Sequence, residues 1–276
     1  MKLTILGSGG VNPAPRATCF CRVCELAREK GIPHARTGCS LFVDDAKLLF
    51  DTPEEIRQQL NRERIRDFDH LILTHWHPDH THGIRILEQV NWNFAEGRPF
   101  KAPIKLYISP QQQEWFKKYS CGAFLDFYTK RGMIEIVPME HKKDIIAGDV
   151  TIRPYLIDHT KGFAFLISQA DKKAVYIPCE YHHVIPDPEI KNADIFIAHN
   201  LFWENKEISP RKNPPADEDS FEEMLKHADA FGTRNIVLTH IEESFQLDHD
   251  EMNEKMKRFY PDYKVQAGYD GMKIVL

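Results

Sequence analysis

"ILTHWHPDHTHG" (residues 72–83) places four histidines, one aspartate and a proline directly behind an apolar run. A solvated loop has no need of so many imidazoles beside one carboxylate; a preformed metal site does. His75 follows "HLIL" and His77 lies two residues on, so in extended chain both side chains point to one side. Pro78 then breaks the strand, and Asp79 and His80 stand where the next helix begins. Neighbours in a helical turn point about 100° apart. The spacing therefore predicts two adjacent cations, one held by His75 and His77, the other by Asp79 and His80. Imidazole and carboxylate suit zinc, manganese or iron in hydrolytic sites. His82 reads as a bystander or a group behind the ligands.

Two cations need further ligands, and strand ends are the natural source. His159 follows "PYLID" and His240 follows "NIVLT", each directly after a buried-type strand. Asp51 in "LFDTP" reads as a hydrogen-bond partner for a ligand histidine or for nearby backbone, with a surface aspartate as the alternative.

Working outward, short runs rich in Val, Ile, Phe and Tyr recur at 2–6, 40–45, 47–51, 70–75, 104–109, 134–138, 150–157, 162–168, 173–178, 194–199 and 235–240. Helical patterns lie between them at 53–65, 84–90, 219–231, where Gly232 marks a stop, and 249–259. The closing "YKVQAGYDGMKIVL" (263–276) reads as a β-hairpin about Asp270–Gly271. Strands and helices interleave without a strict βαβ rhythm, which favours a layered α/β sandwich over a doubly wound parallel sheet. With no linker and no fixed-period repeat, residues 1–276 are expected to form a single domain. An aromatic-rich, less regular insertion is expected around 91–132.

The chain has 276 residues, 42% hydrophobic and 28% charged, with a net charge of −5. That is ordinary for a protein with a substantial core. It lacks the basic surplus of a protein that grips long nucleic acid, while a small anionic substrate stays open. No run of about 18 apolar residues is present, so no membrane span is expected. "MKLTILGSGG" is too short in apolar residues for a signal-peptide core, which points to the cytoplasm. Six cysteines in a reducing compartment point to metal or redox use rather than disulfides.

Three of them, Cys19, Cys21 and Cys24 in "TCFCRVC" (18–24), can converge on one metal. A structural zinc takes four ligands, and Cys39, Glu243, His249 and His34 are the candidates for the fourth. A reduced loop that binds no metal is the first alternative and a redox dithiol the second. "ILGSGG" (5–10) lacks the spacing and the lysine of a phosphate-binding loop and reads as a tight turn. His182 and His183 read as polar surface.

"THWHPDH" (74–80) resembles the T-H-x-H-x-D-H signature of the metallo-β-lactamase superfamily, and the order of the other motifs is similar along nearly the whole chain. The resemblance implies a four-layer αββα sandwich with a dinuclear site at one edge of two sheets. In that superfamily an Asp after the strand following the distant His links the two metals. Here "KKAVYIPCEYHH" offers Glu180 first and Cys179 second, a departure that leaves the metal open between zinc, manganese and iron. The Cys cluster, "GCS" (38–40) and "DGM" (270–272) resemble the PhnP-like phosphodiesterase branch, which is related to PqqB. In that branch a structural zinc is completed by a His three positions after the late metal-binding His, where this chain has Glu243.

The resemblance implies a metal-dependent hydrolase, with two divalent metals in the active site and one structural zinc. Its substrate would be a small cyclic or nucleotide-like phosphodiester, attacked by a metal-activated hydroxide that Asp79 orients. His199, at the end of "DIFIAH", would be the general acid for the leaving group. PqqB-like or flavodiiron-like oxygen chemistry and RNase Z-like cleavage are the alternatives, and a homodimer stays open.

Overall fold

A computed structural model describes residues 1–119, 122–157, 162–179, 187–199, 202–208 and 220–276. Its strands are β1 (Lys2–Gly7), β2 (Ser40–Val43), β3 (Leu48–Phe50), β4 (His70–Ile72), β5 (Ile104–Ile108), β6 (Ile134–Pro138) and β7 (Ile145–Ala147). They continue with β8 (Val150–Leu156), β9 (Phe163–Gln169), β10 (Lys172–Ile177), β11 (Ile195–His199), β12 (Asn235–Thr239), β13 (Lys264–Ala267) and β14 (Met272–Val275). The α-helices are α1 (Arg22–Lys30), α2 (Ile56–Arg62), α3 (Pro78–Thr81), α4 (Ile86–Asn91), α5 (Pro110–Tyr119), α6 (Gly122–Lys130), α7 (Phe221–Ala230) and α8 (His249–Phe259).

The strands form two seven-stranded sheets, ordered β14-β1-β2-β3-β4-β5-β6 and β13-β12-β11-β10-β9-β8-β7. Period-two alternation sends side chains to both faces, and both faces are buried. Leu3, Ile5, Phe50, Phe165, Tyr176 and Ile197 meet between the sheets. On the outer face of the first sheet, Leu6, Leu71 and Leu106 pack against Ile56, Leu87 and Phe116 of α2, α4 and α5. On the outer face of the second, Val175, Phe196 and Leu238 pack against Phe221 and Met224 of α7 and Met252 of α8. The result is the four-layer αββα sandwich.

Strand direction fixes where the chemistry sits. β3 through β6 run parallel in one sheet, and β10 through β13 run parallel in the other. The carboxyl ends of β3, β4, β10, β11 and β12 deliver Asp51, His75, Cys179, His199 and His240 to one region. In α/β sheets this is the end where ligands bind. Helix starts follow local chemistry: Ser220 and Asp248 each cap their helix with a reciprocal box, completed by Glu223 and Glu251.

Two expectations need correction. Residues 91–132 are more regular than their composition suggests, since β5, α5 and α6 lie there. Phe116, Leu125 and Tyr128 face the core, while Phe94, Phe100, Phe124 and Phe127 stay exposed. The closing hairpin does not form. The turn is present, with Gly271 at φ +85°, but β13 joins β12 in one sheet and β14 joins β1 in the other.

Long-range hydrogen bonds hold that crossing. Buried Asp270 accepts from the Ser8 amide and hydroxyl, both at 2.9 Å, and from the Thr37 amide at 2.9 Å and hydroxyl at 2.5 Å. Arg62 reaches it at 3.2 Å. Buried Arg36 donates to Ser8 Oγ at 2.8 Å and to the Gly268 carbonyl. A turn whose carboxylate is claimed by other parts of the sheet edge cannot close a local hairpin. Among the described residues no helix is long and apolar enough to cross a membrane.

Replacing Asp270 by Ala strands these buried donors. We expect a loss of about 3 kcal/mol, read as a lower urea midpoint; an unchanged midpoint would refute the role given to this carboxylate.

Candidate metal centre

Asp51 follows β3 in a left-handed conformation, φ +63°, uncommon for a residue with a side chain. Its carboxylate is fully buried and accepts from the Thr74 amide, the Thr74 hydroxyl and His80 Nδ1, each at 2.8 Å. The last bond fixes the His80 tautomer, leaving Nε2 free as a metal ligand. Thr74 Oγ1 lies 3.1 Å from His75 Nδ1 and orients that ring likewise. Asp51 thus bonds both backbone and a ligand histidine.

Asp79 Oδ2 lies 3.3 Å from His80 Nε2 and 3.2 Å from His240 Nε2. Burial alone would raise this carboxyl, but His80 and His240 hold it well below the usual carboxylate range. His240 directly follows β12, also in a left-handed conformation, φ +55°. Cys179 stands two residues beyond β10 and His199 ends β11. Burial, with His240 beside it, pushes His199 down to about 4.

Three donor groups overlap here: Asp79–His80–His240, His75–His80–Cys179 and Cys179–His199–His240, with ligand atoms in each within 4.8 Å of one another. His75 Nε2, His80 Nε2, both ring nitrogens of His199 and His240 Nδ1 are buried without a hydrogen-bond partner among the described residues. Buried polar atoms are normally paired; a concentration of orphaned imidazole nitrogens around a thiol and a carboxylate fits divalent cations.

The split read from sequence, His75 with His77 against Asp79 with His80, is not clean. The His75 and His77 ring centroids lie 4.6 Å apart and those of His75 and His80 only 4.1 Å. α3 is a single turn bent back under the His75 loop, so His80 serves both groups. His159 and Glu180, together with His182 and His183, lie outside the described residues. His82 is exposed near Glu54.

Gly10, read only as part of a tight turn, belongs to the site's wall. A Cβ there would come within 2.2 Å of Glu242 Oε1 and 2.6 Å of His240 Nδ1. Glu242 in turn accepts from the Val11 and Asn12 amides at 2.8 and 2.9 Å. No spacing rule marks such a contact, because it joins loops of different sheets. Gly10, Val11, Glu54, Pro78 and Asp79 line a cleft of about 260 Å³. Glu54 also borders a larger cleft of about 810 Å³, walled by Ile84, Tyr119, Phe124 and Phe127.

The cysteine cluster forms a second group. Cys19, Cys21, Cys24 and Glu243 bring their ligand atoms within 4.8 Å of one another. Cys21 Sγ lies 3.0 Å from Glu243 Oε1, and Cys19 Sγ lies 3.6 Å from it. Burial pushes the Cys24 thiol up to about 12. Of the four candidates for a fourth ligand, Glu243 is the one at the cluster. Cys39 packs against Tyr176 and Thr239, His34 lies near Asp248 and Asp250, and His249 lies near Arg36.

Residues 46–241 match the family described as "Beta-lactamase superfamily domain". The chain belongs to the β-lactamase superfamily. Members of this superfamily are metal-dependent hydrolases. The chain shares its fold with a diphosphatase of the PhnP family, at TM-score 0.75 and 22% identity over 99% of this chain and 96% of that one. It shares it with Zn2+-bound PqqB from Methylobacterium extorquens, at 0.73 and 16% over 100% of each. Human tRNase Z, short form, has it too, at 0.65 and 15% over 100% of this chain and 99% of that one. The chain is also 22% identical, over 286 aligned residues, to the protein named Octanoyltransferase from Porphyromonas gingivalis, covering 100% of this chain and 52% of that protein. It spans about half the length of that relative.

Gly10→Ala should displace His240 or Glu242 and lower the zinc retained after loading, measured by elemental analysis. Retention equal to wild type would show that the wall yields without disturbing His240.

Proposed function

We propose that the chain is a cytoplasmic, metal-dependent phosphodiesterase acting on a small cyclic or nucleotide-like phosphodiester. The overlap of the three donor groups at one sheet edge carries this reading, because shared members suit two adjacent cations. Divalent cations bound there would lower the pKa of a water to near neutrality and neutralise phosphoryl oxygens. His75, His77, Asp79, His80 and His240, with His159 and a residue of the 179–180 pair, would hold them.

The remaining work falls to side chains. Asp79, kept ionised by its imidazole neighbours, orients the attacking water. His199, its ring centroid 4.4 Å from that of His240, is the group assigned to protonate the departing oxygen, a role that requires an anionic substrate beside it to raise its burial-lowered pKa. Asp51 keeps His80 in the ligand tautomer. Cys19, Cys21, Cys24 and Glu243 hold a structural zinc that fixes the loop before α1.

The mouth favours a small substrate over a long polyanion. Glu54 and Glu55 line the smaller cleft and, among the described residues, no Lys or Arg does, so an extended RNA would meet like charge. Two proteins sharing the fold, a diphosphatase and a tRNase, are named for reactions at phosphorus, which supports the same chemistry.

A second reading, hydrolysis of a medium-chain acyl ester, is favoured by one observation. The larger cleft is walled by apolar and aromatic side chains, and the half-length relative is named an octanoyltransferase.

Turnover of bis-p-nitrophenyl phosphate and of p-nitrophenyl octanoate by the zinc- or manganese-loaded protein separates the two. We expect the phosphodiester to be hydrolysed, His77→Ala to abolish turnover, and Asp51→Asn to lower it by about 10–100-fold. Octanoate cleavage alone would overturn the phosphodiesterase reading. Glu243→Ala should lower Tm by at least roughly 2–4 °C; an unchanged Tm would remove the zinc from the cluster.

A further inference from the structure

Among the described residues Cys179 is the one thiol in these donor groups, and its position is unlike that of the other ligand candidates. It belongs to two of the three donor groups, meeting His75 and His80 in one and His199 and His240 in the other. His80 is shared with Asp79 on one side, and His240 is shared with Asp79 on the other. Asp79 and Cys179 therefore share His80 and His240 as neighbours without sharing a donor group, and the rings of that histidine pair are stacked with centroids 5.3 Å apart. The unpartnered nitrogens of His75 and His199 turn up in the sulfur's two groups and in neither case in the carboxylate's.

Local chain chemistry explains the placement. β10 ends at Ile177, Pro178 cannot extend the ladder, and Cys179 is the next residue at the edge where β4, β11 and β12 end. The parallel neighbour β11 brings His199 beside it, and β12, the next strand beyond β11, brings His240.

We propose that Cys179 supplies a thiolate that joins the two cation positions, so that the centre is selective for zinc over manganese. The inference rests on the two-cation reading of the site but not on the identity of the substrate. A sulfur bonds zinc at about 2.3 Å and an imidazole at about 2.0–2.1 Å, so the observed spacing closes by small side-chain movements. A thiolate is a soft donor that suits zinc, whereas carboxylate and water suit manganese. With sulfur in the linking position, both cation positions would take a sulfur donor beside their imidazoles, and Asp79 would add an oxygen only where it meets His80 and His240. A centre linked by a carboxylate would lack that soft donor.

The test uses the full chain loaded with Co2+ in place of zinc, and reads near-ultraviolet thiolate-to-cobalt absorption. Cys19, Cys21 and Cys24 contribute their own bands, so the quantity of interest is the difference between wild type and Cys179→Ser, in which that contribution cancels. We expect the difference to be positive, Glu180→Gln to keep the full wild-type absorption, and Cys179→Asp to bind manganese better than wild type. Equal absorption in wild type and Cys179→Ser, or loss in Glu180→Gln instead, overturns the proposal even if the protein hydrolyses phosphodiesters. Conversely, a positive difference without phosphodiester turnover supports the thiolate ligand and counts against the phosphodiesterase reading alone. A second measurement needs no variant: zinc, and not manganese, should protect Cys179 from iodoacetamide, read by peptide mass spectrometry. Equal alkylation with and without zinc overturns the proposal.

Discussion

Two packed sheets whose parallel strands end at the same edge are the constraint on which the centre depends. β3, β4, β10, β11 and β12 are largely buried on both faces and contribute polar groups to the centre only where their ladders stop. Asp51, His75, Cys179, His199 and His240 are all such terminal residues, drawn from five strands of two sheets. Their convergence is a property of topology, and no single segment could produce it. The cost is local: Asp51 and His240 adopt backbone conformations with positive φ, a strain that persists only where the surroundings over-determine it. Hydrogen bonds from Thr74 and His80 do so for Asp51, and the tight seat beside Gly10 does so for His240.

What sequence reveals follows from this distinction between local and convergent features. The histidine stretch is local, with strand, proline break and helix start all written within a dozen residues, and its reading as a ligand cluster needs no structure. The same holds for the cysteine cluster and for helices with a capping residue at the start. His240 and His199 are legible as strand-end histidines, though nothing in the chain says that they neighbour one another. Invisible are the features made by approach across sheets: Gly10 against His240, Glu242 bonded to the loop after β1, and His80 divided between two donor groups. The failed hairpin teaches the same point. Asp270–Gly271 has the right turn chemistry, but the carboxylate is engaged by Ser8, Thr37 and Arg62, and these bonds outcompete local closure.

The two metal-type groups are not independent parts. His240 and Glu243 are three residues apart on the segment that follows β12, one facing the centre and the other facing Cys19, Cys21 and Cys24. The amide of Glu243 donates to the Asn12 carbonyl at 2.8 Å, and Glu242 accepts from Val11 and Asn12. These bonds tie the loop after β1 to the segment after β12, so the cysteine cluster and the wall around His240 are built on the same two stretches of chain.

Ser8 and Asp270 are bonded across 262 residues of chain. Until that contact forms, the loop carrying Gly10 is not fastened to the turn at Asp270. Contacts of such separation are slow to form because their loop-closure entropy comes due before any reward. Closing the wall around His240 thus carries a large loop-closure cost, which the rest of the sandwich has to offset.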